Sequence, residues 1–136
     1  MEQTYRALME AAAHAREFAY SPYSGYCVGA AILAEDGRVF TGCNVENAGF
    51  SATNCAERTA VFKAVSEGAL RFSAIAVVGG KRGEVSSFCA PCGVCRQVLM
   101  EFCSPDLPVV LGTPEAFRVY RLGELLPFSF TGAEIT

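Results

Sequence analysis

The chain has 136 residues, of which 51% are hydrophobic and 18% are charged, and it carries a formal net charge of −3 at pH 7. This balance lacks the basic surface of a nucleic-acid-binding protein, so we expect no nucleic-acid partner. No apolar run approaches the roughly 20 residues of a membrane span, and no basic stretch near the N-terminus leads into an apolar signal segment, so we expect no membrane partner and a cytoplasmic location.

The length predicts one domain over residues 1–136, and its first part contains a helix and a β-hairpin. Apolar side chains recur at helical spacing through residues 2–19, and a segment with Pro and Gly at 21–25 ends that helix. Two apolar runs at 27–34 and 39–45 flank an Asp-Gly turn, which is typical of a hairpin.

The rest of the chain alternates helices with strands. Residues 54–67 predict a helix with Asn54 as its N-cap and Gly68 just beyond its end. Further elements are predicted from short apolar runs: helices at 94–102 and 122–126, and strands at 74–78, 108–111 and 117–122. A hairpin followed by this alternation indicates an α/β fold, in which a mixed five-stranded sheet is sandwiched by helices.

Three cysteines stand at spacings typical of metal ligands. Cys55 lies near the start of one predicted helix, while Cys92 and Cys95 lie three residues apart at the start of the next, where they share a helix face. The N-terminus of a helix favours the thiolate that a metal requires. Three protein ligands leave the fourth position of a zinc ion open, as in catalytic zinc sites. The sequence therefore predicts a zinc site formed by these three residues.

Two charged residues follow Cys55. Glu57 could move protons for a molecule at the open zinc position, if its side chain curls towards the metal from the first helical turn. Three thiolates leave a zinc site with a formal charge of −1, and we expect Arg58 to donate to a sulfur and draw off part of this charge. The alternatives are a carboxylate that only stabilises the helix dipole, for Glu57, and a solvated surface residue, for Arg58.

A further cysteine leaves a structural metal site open as an alternative. Cys89 precedes Cys92 by three residues and could complete a closed site of four cysteines, which would have no use for Glu57. Pro91 disfavours helical geometry between the two cysteines, so Cys89 need not point at the metal. The other candidate ligands fit packing or surface positions better: Cys27, Cys43, Cys103 and the sole histidine, His14.

Four segments in chain order carry a resemblance to a known family: GYCVGAA from residue 25, GCNVENA from 42, CAER from 55 and PCGVCRQ from 91. The sequence resembles the cytidine deaminases, in particular the short, homotetrameric class with three cysteine ligands, over essentially its whole length. The resemblance implies a three-layer α/β/α fold with one zinc ion per subunit. It also implies hydrolytic deamination of cytidine and 2'-deoxycytidine to the uridine forms, in pyrimidine salvage.

The resemblance further implies which residues hold a pyrimidine nucleoside. Asn44 and Glu46 match positions that bind the ribose hydroxyls, and a polar strand end that enters a loop is the alternative. Ala56 matches a backbone N–H that contacts the base carbonyl, and Ala90 a backbone carbonyl that contacts the amine. Another aminopyrimidine nucleoside is an alternative substrate, and the Asn44/Glu46 pair favours one with a free ribose.

Aromatic residues complete the set of implied contacts. Tyr26 matches a position, usually Phe, that packs near the nucleoside, and its hydroxyl requires space or a partner. Phe50 matches a position, more often Tyr, that reaches a neighbouring subunit's site. Phe130 matches an aromatic residue that stacks on the pyrimidine from another subunit, and Phe128, two residues earlier, is the alternative.

Overall fold

A mixed sheet of five strands lies at the centre of the computed structural model, which describes residues 1–84 and 88–136. The strands lie in the order β2-β1-β3-β4-β5, with β3 and β4 parallel and the other neighbouring pairs antiparallel. Their bounds are β1 (Tyr26–Ala34), β2 (Val39–Cys43), β3 (Phe72–Lys81), β4 (Pro108–Thr113) and β5 (Ala116–Arg121). The predicted α/β fold with a mixed five-stranded sheet is confirmed.

Helices cover both faces of this sheet. They are α1 (Glu2–Arg16), α2 (Ala56–Ser66), α3 (Gly93–Phe102) and α4 (Leu122–Leu125), with short 3₁₀ turns at Phe50–Ala52 and Gly132–Glu134. Within residues 1–84 and 88–136, no helix combines the length and apolar character that a bilayer span requires.

Several predicted boundaries were wrong. The strand predicted at 74–78 extends over Phe72–Lys81, and at three other points tertiary pairing overrides local preference. The first helix ends at Arg16, before 19, and the chain then brings Tyr20 to a β-bridge with Val45. Strand β2 ends at Cys43, and Val45 forms isolated bridges with Tyr20 and Asn54. Asn54 is consequently extended, so the N-cap of α2 is Cys55.

Alternate residues of the central strands form two hydrophobic clusters on opposite faces of the sheet. On β1, Ile32 packs with the cluster that includes α2 and α3, while Ala31 packs with α1. On β3, Val77 belongs to the first cluster and Val78 to the second. Strands covered on both faces have nearly continuous apolar sequences, which explains the apolar runs that predicted them.

Glycine allows α2 to lie directly on the sheet. A Cβ atom at Gly42 of β2 would lie 2.6 Å from the backbone nitrogen of Ala60 and 2.7 Å from the carbonyl oxygen of Ala56. Only a residue without a side chain permits so close an approach of helix and strand backbones. This contact places the N-terminus of α2, with Cys55, beside the segment that follows β2.

Candidate active site

The three predicted metal ligands come together at the N-termini of two helices. Cys55 is the N-cap of α2, Cys92 is the N-cap of α3, and Cys95 lies in the first turn of α3. The Sγ atoms of Cys55 and Cys92 are 3.7 Å apart, and those of Cys92 and Cys95 are 3.5 Å apart. Tetrahedral zinc with Zn–S distances of about 2.3 Å requires sulfurs about 3.8 Å apart. The cluster therefore has the donor type and the spacing that zinc requires.

Hydrogen bonding within the cluster favours negative charge on one sulfur. The hydrogen bond from Cys95, followed by those from Arg58 and Cys92, lowers the pKa of Cys55 to about 5. The same bond to Cys55, together with burial, raises the pKa of Cys95. The neighbouring groups thus favour the thiolate form of Cys55, which is the form that binds a cation.

Arg58 lies against this cluster. Its Nη2 donates a hydrogen bond to Sγ of Cys55 at 3.3 Å, and this bond raises the pKa of the guanidinium. Its Nε is buried and has no hydrogen-bond partner among the described residues. A buried guanidinium nitrogen is tolerated where a lasting negative charge lies beside it, which fits a site of metal-bound thiolates.

Glu57 is buried close to the three sulfurs. Its exposed fraction is 4%, and burial, followed by the charge of Cys55, raises the pKa of its carboxyl group to about 7. The carboxyl group also contacts the Cys95 thiol. The Glu57 side chain lies in the first turn of α2, two residues after Cys55, and it reaches the cluster. The proton-transfer role considered from the sequence requires this position. A carboxyl group with this pKa is suited to both accept and release protons near neutral pH.

A cavity of about 260 Å³ joins the cysteine cluster to the polar end of the hairpin. Glu57, Cys55 and Cys92 lie on its wall. The wall also includes five residues for which the sequence predicted substrate contacts: Tyr26, Asn44, Glu46, Ala56 and Ala90. Proton transfer, metal binding and polar recognition groups thus share one concave site, as expected of a small-molecule enzyme.

Hydrogen bonds hold the two polar residues of the hairpin end in fixed orientations. Asn44 accepts from the backbone N–H of Val28 and donates to the carbonyl oxygen of Tyr26, both at 2.9 Å. Glu46 accepts from the backbone N–H groups of Tyr23 and Ser24, at 2.9 and 3.1 Å, and from the Ser24 hydroxyl. These bonds, led by the one from the Ser24 hydroxyl, lower the pKa of Glu46. Glu46 is therefore a carboxylate aligned before any ligand binds.

Comparison with known proteins decides the family. A model of the "Cytidine and deoxycytidylate deaminase zinc-binding region" matches residues 2–111. The chain belongs to this deaminase family. Zinc-dependent deamination is the chemistry of the family, so the predictions of the family, of an enzyme and of zinc are confirmed.

Individual deaminases are similar over most of their length. A cytidine deaminase from Sporosarcina psychrophila is 50% identical over 123 residues, which cover 90% of this chain and 88% of that protein. A cytidine deaminase from Halalkalibacterium halodurans is 48% identical, with 94% and 95% covered. The crystal structure of cytidine deaminase from Burkholderia pseudomallei has a TM-score of 0.83 at 52% identity, with 91% of this chain and 97% of that chain covered.

The closed site of four cysteines does not form in the part of this deaminase that the structure describes. There, the candidate metal-ligand atoms that lie within 4.8 Å of one another come from Cys55, Cys92 and Cys95, without Cys89. Cys89 lines the cavity instead. Zinc held by the three cysteines would therefore keep a position for a non-protein ligand.

The three aromatic residues predicted to contact the substrate, Tyr26, Phe50 and Phe130, lie in different places relative to the cavity. Tyr26 lies on the cavity wall, whereas Phe50 lines an adjacent depression together with Glu46. Phe130 is 58% exposed and its carbonyl oxygen accepts from Gln97, while Phe128 is fully exposed. Neither Phe128 nor Phe130 is among the residues of this chain that line the cavity.

The cavity wall also contains five residues to which the sequence analysis assigned no substrate contact: Ser24, Val28, Thr53, Asn54 and Cys89. Ser24 lies in a turn, where serine commonly bonds to the local backbone, so its type carried no specific signal. Cys89 was considered only as a metal ligand. Its neighbour Ala90 was an available signal, because a backbone contact at 90 places residue 89 close to the same ligand.

Proposed function

We propose that this chain deaminates cytidine and 2'-deoxycytidine by hydrolysis, which yields uridine and 2'-deoxyuridine with release of ammonia. The observation that carries the proposal is the position of Glu57. Its buried carboxyl group, with a pKa raised to about 7, shares a cavity with the three-cysteine cluster and with polar groups fit for a sugar. The relatives named cytidine deaminase support the choice of substrate.

Glu57 carries the protons of the reaction. Cys55, Cys92 and Cys95 would hold the zinc ion, which would bind water at its open position and make that water a better nucleophile. Glu57 accepts a proton from the water that attacks C4 of the cytosine ring and passes it to the ring nitrogen next to C4. It then takes the proton of the new C4 hydroxyl group and delivers it to the amine, so that the C4–N bond breaks, the C4 carbonyl forms and ammonia leaves. Arg58, through its bond to Cys55, offsets the negative charge of the thiolates.

The hairpin end and the cavity wall hold the nucleoside. In this proposal, Glu46 and Asn44 bind the ribose hydroxyls, because each keeps hydrogen-bonding capacity beyond the bonds that orient it. The backbone N–H of Ala56 contacts the base carbonyl, and the backbone carbonyl of Ala90 contacts the amine. Tyr26 packs against the nucleoside from β1. All five residues line the same cavity, which supports this arrangement.

The proposal includes a homotetramer with one zinc ion per subunit. Phe50 and Phe130 reach the cavity of neighbouring subunits, where the aromatic rings pack against the substrate. Their exposed fractions of 79% and 58% leave both rings accessible to a second subunit, and aromatic residues are enriched in protein interfaces. We further place the enzyme in the cytoplasm and in pyrimidine salvage, with a free nucleoside as its substrate.

The test is the loss of cytidine absorbance on incubation with purified, zinc-loaded protein, with released ammonia measured in parallel. We expect conversion of cytidine and 2'-deoxycytidine, and a decrease in kcat of at least about 100-fold in Glu57→Gln. Glu10→Gln, an exposed exchange on α1, is the matched control and should retain activity. Absence of conversion by protein with a full zinc content would refute the proposed substrate, and full activity of Glu57→Gln would refute the mechanism.

A further inference from the structure

The thiol of Cys89 lies in the cavity but has no part in the proposed metal site or reaction. It stands outside the cluster of three cysteines and lines the cavity together with Tyr26 and Glu57. The side chain is half-buried. Metal binding therefore does not explain why a cysteine lies in this part of the cavity wall.

Gly79 of β3 creates the space that Cys89 and Tyr26 share. A Cβ atom at this position would lie 2.6 Å from Sγ of Cys89 and 3.3 Å from Cε2 of Tyr26. Gly79 is paired with Val28 of β1, two residues beyond Tyr26. The thiol and the aromatic ring therefore pack side by side over a bare stretch of sheet backbone.

A hydrogen bond joins these two side chains. Burial, followed by a hydrogen-bonding interaction with Cys89, raises the pKa of Tyr26, and the same interaction opposes the effect of burial on the pKa of Cys89. A hydroxyl that is partly withdrawn from water destabilises its site unless it has a partner. The Cys89 sulfur supplies a partner for the Tyr26 hydroxyl. This contact also restricts the rotation of the Tyr26 ring about its side-chain bonds.

We propose that Cys89 is a positioning residue for Tyr26, which it holds against the cavity wall in the orientation that packs on the bound nucleoside. The inference rests on the proposed function. It adds Cys89 as a residue that affects substrate binding through Tyr26. A ring oriented before the substrate arrives loses less conformational entropy on binding. Because the ring contacts the substrate and its transition state alike, the effect falls on KM and leaves kcat nearly unchanged.

The kinetic test compares Tyr26→Phe, Cys89→Ala, Cys89→Ser and the double variant Tyr26→Phe/Cys89→Ala with the unmodified enzyme. We expect each of the first two to raise KM for cytidine about 3- to 10-fold, which is the range of one hydrogen bond. The KM of the double variant should be no higher than that of the more impaired single variant, since both single changes remove the same contact. Cys89→Ser keeps an acceptor and should remain close to the unmodified enzyme. Cys43→Ala, a cysteine outside the cavity, is the control.

A spectroscopic measurement tests the contact without turnover. In protein labelled with ¹³C at Cζ of tyrosine, the Tyr26 signal is assigned by its loss in Tyr26→Phe. We expect Cys89→Ala to shift this signal and Cys89→Ser to shift it less, at unchanged zinc content.

Three results would overturn the inference: an unmoved Tyr26 signal in Cys89→Ala, KM effects that multiply in the double variant, or a decrease in kcat with constant KM. Failure of the unmodified enzyme to convert cytidine refutes the proposed function instead, and the spectra still decide the contact.

Discussion

The guanidinium of Arg58 donates to Sγ of Cys55 at 3.3 Å through Nη2, while its buried Nε has no hydrogen-bond partner among the described residues. One side of this arginine is thus committed to a sulfur that a metal would share. The arrangement is stable only while the sulfur keeps its negative charge, because a neutral thiol accepts hydrogen bonds weakly. Metal retention and the position of Arg58 are therefore coupled.

We expect Arg58→Ala to weaken zinc binding by about 10- to 100-fold, the range seen when a partner of a metal ligand is removed. Competition with a chelator of known zinc affinity measures this change. Arg71→Ala, which changes an exposed arginine just before β3, serves as the control and should bind zinc as the unmodified protein does. Equal affinity of Arg58→Ala and the control would show that Arg58 does not support the thiolates.

Glu57→Gln should stabilise the zinc-free protein at neutral pH, although we expect it to decrease activity. The ordinary pKa of 4.5 rises to about 7 for the buried Glu57, so the unfolded chain loses this proton at lower pH than the folded chain. The resulting loss of stability is absent below pH 4.5, grows as pH rises to about 7 and is then constant. Its full size is about 3 kcal/mol.

Denaturant unfolding of Glu57→Gln and the unmodified protein at pH 4, 5.5 and 7.5 tests this expectation. The difference in the free energy of unfolding should increase across the series, with the variant more stable at pH 7.5. Glu10→Gln should stay within about 0.5 kcal/mol of the unmodified protein throughout. A difference for Glu57→Gln that does not depend on pH would contradict a buried, proton-binding carboxyl group.

Ser24→Ala should weaken substrate binding through Glu46. The Ser24 hydroxyl donates to Glu46 and accepts from the backbone N–H of Tyr26 at 3.0 Å, which ties the carboxylate to the start of β1. Without it, Glu46 keeps its two backbone donors but gains freedom, and we expect KM for cytidine to rise about 3- to 10-fold. Steady-state kinetics measure this change, with Ser66→Ala at the far end of α2 as the control. A fall in kcat at constant KM would show that Glu46 does not act by binding the substrate.

Mixed oligomers test whether Phe130 acts on a neighbouring subunit. Glu57→Gln and Phe130→Ala are each expected to have low activity alone. In oligomers refolded from both, an intact Glu57 can meet an intact Phe130 of its neighbour, so activity should exceed the sum of the separate preparations. Phe128→Ala, combined in the same way, distinguishes the two aromatic positions. Activity equal to the sum would place Phe130 outside the neighbouring site.

The sequence predicted the sheet and the metal cluster well because both follow from short-range patterns. Strands covered on both faces require apolar runs, and the spacing of Cys92 and Cys95 fixes their approach at the start of α3. Asn54 illustrates the opposite case. Its residue type favours an N-cap, but its backbone pairs with Val45, a contact that no local pattern contains.

Cys89 was ambiguous for a related reason. Its spacing from Cys92 fits both a metal ligand and a residue with no metal-binding role. The choice depends on Gly79, which lies ten residues earlier, in β3. A glycine inside an apolar run indicates a close approach but does not name the residue that approaches. The partner of such a glycine becomes known only when the sheet is assembled.

The contact of α2 with Gly42 has a consequence for substrate choice. Because backbone rests on backbone there, the separation between Cys55 at the start of α2 and Asn44 just beyond β2 is fixed by the main chain. Side-chain exchanges can reshape the walls of the cavity, but they leave this main-chain separation unchanged. A molecule that contacts both ends of the cavity must therefore have a particular distance between its reacting carbon and its hydroxyl groups, and the main chain sets that distance.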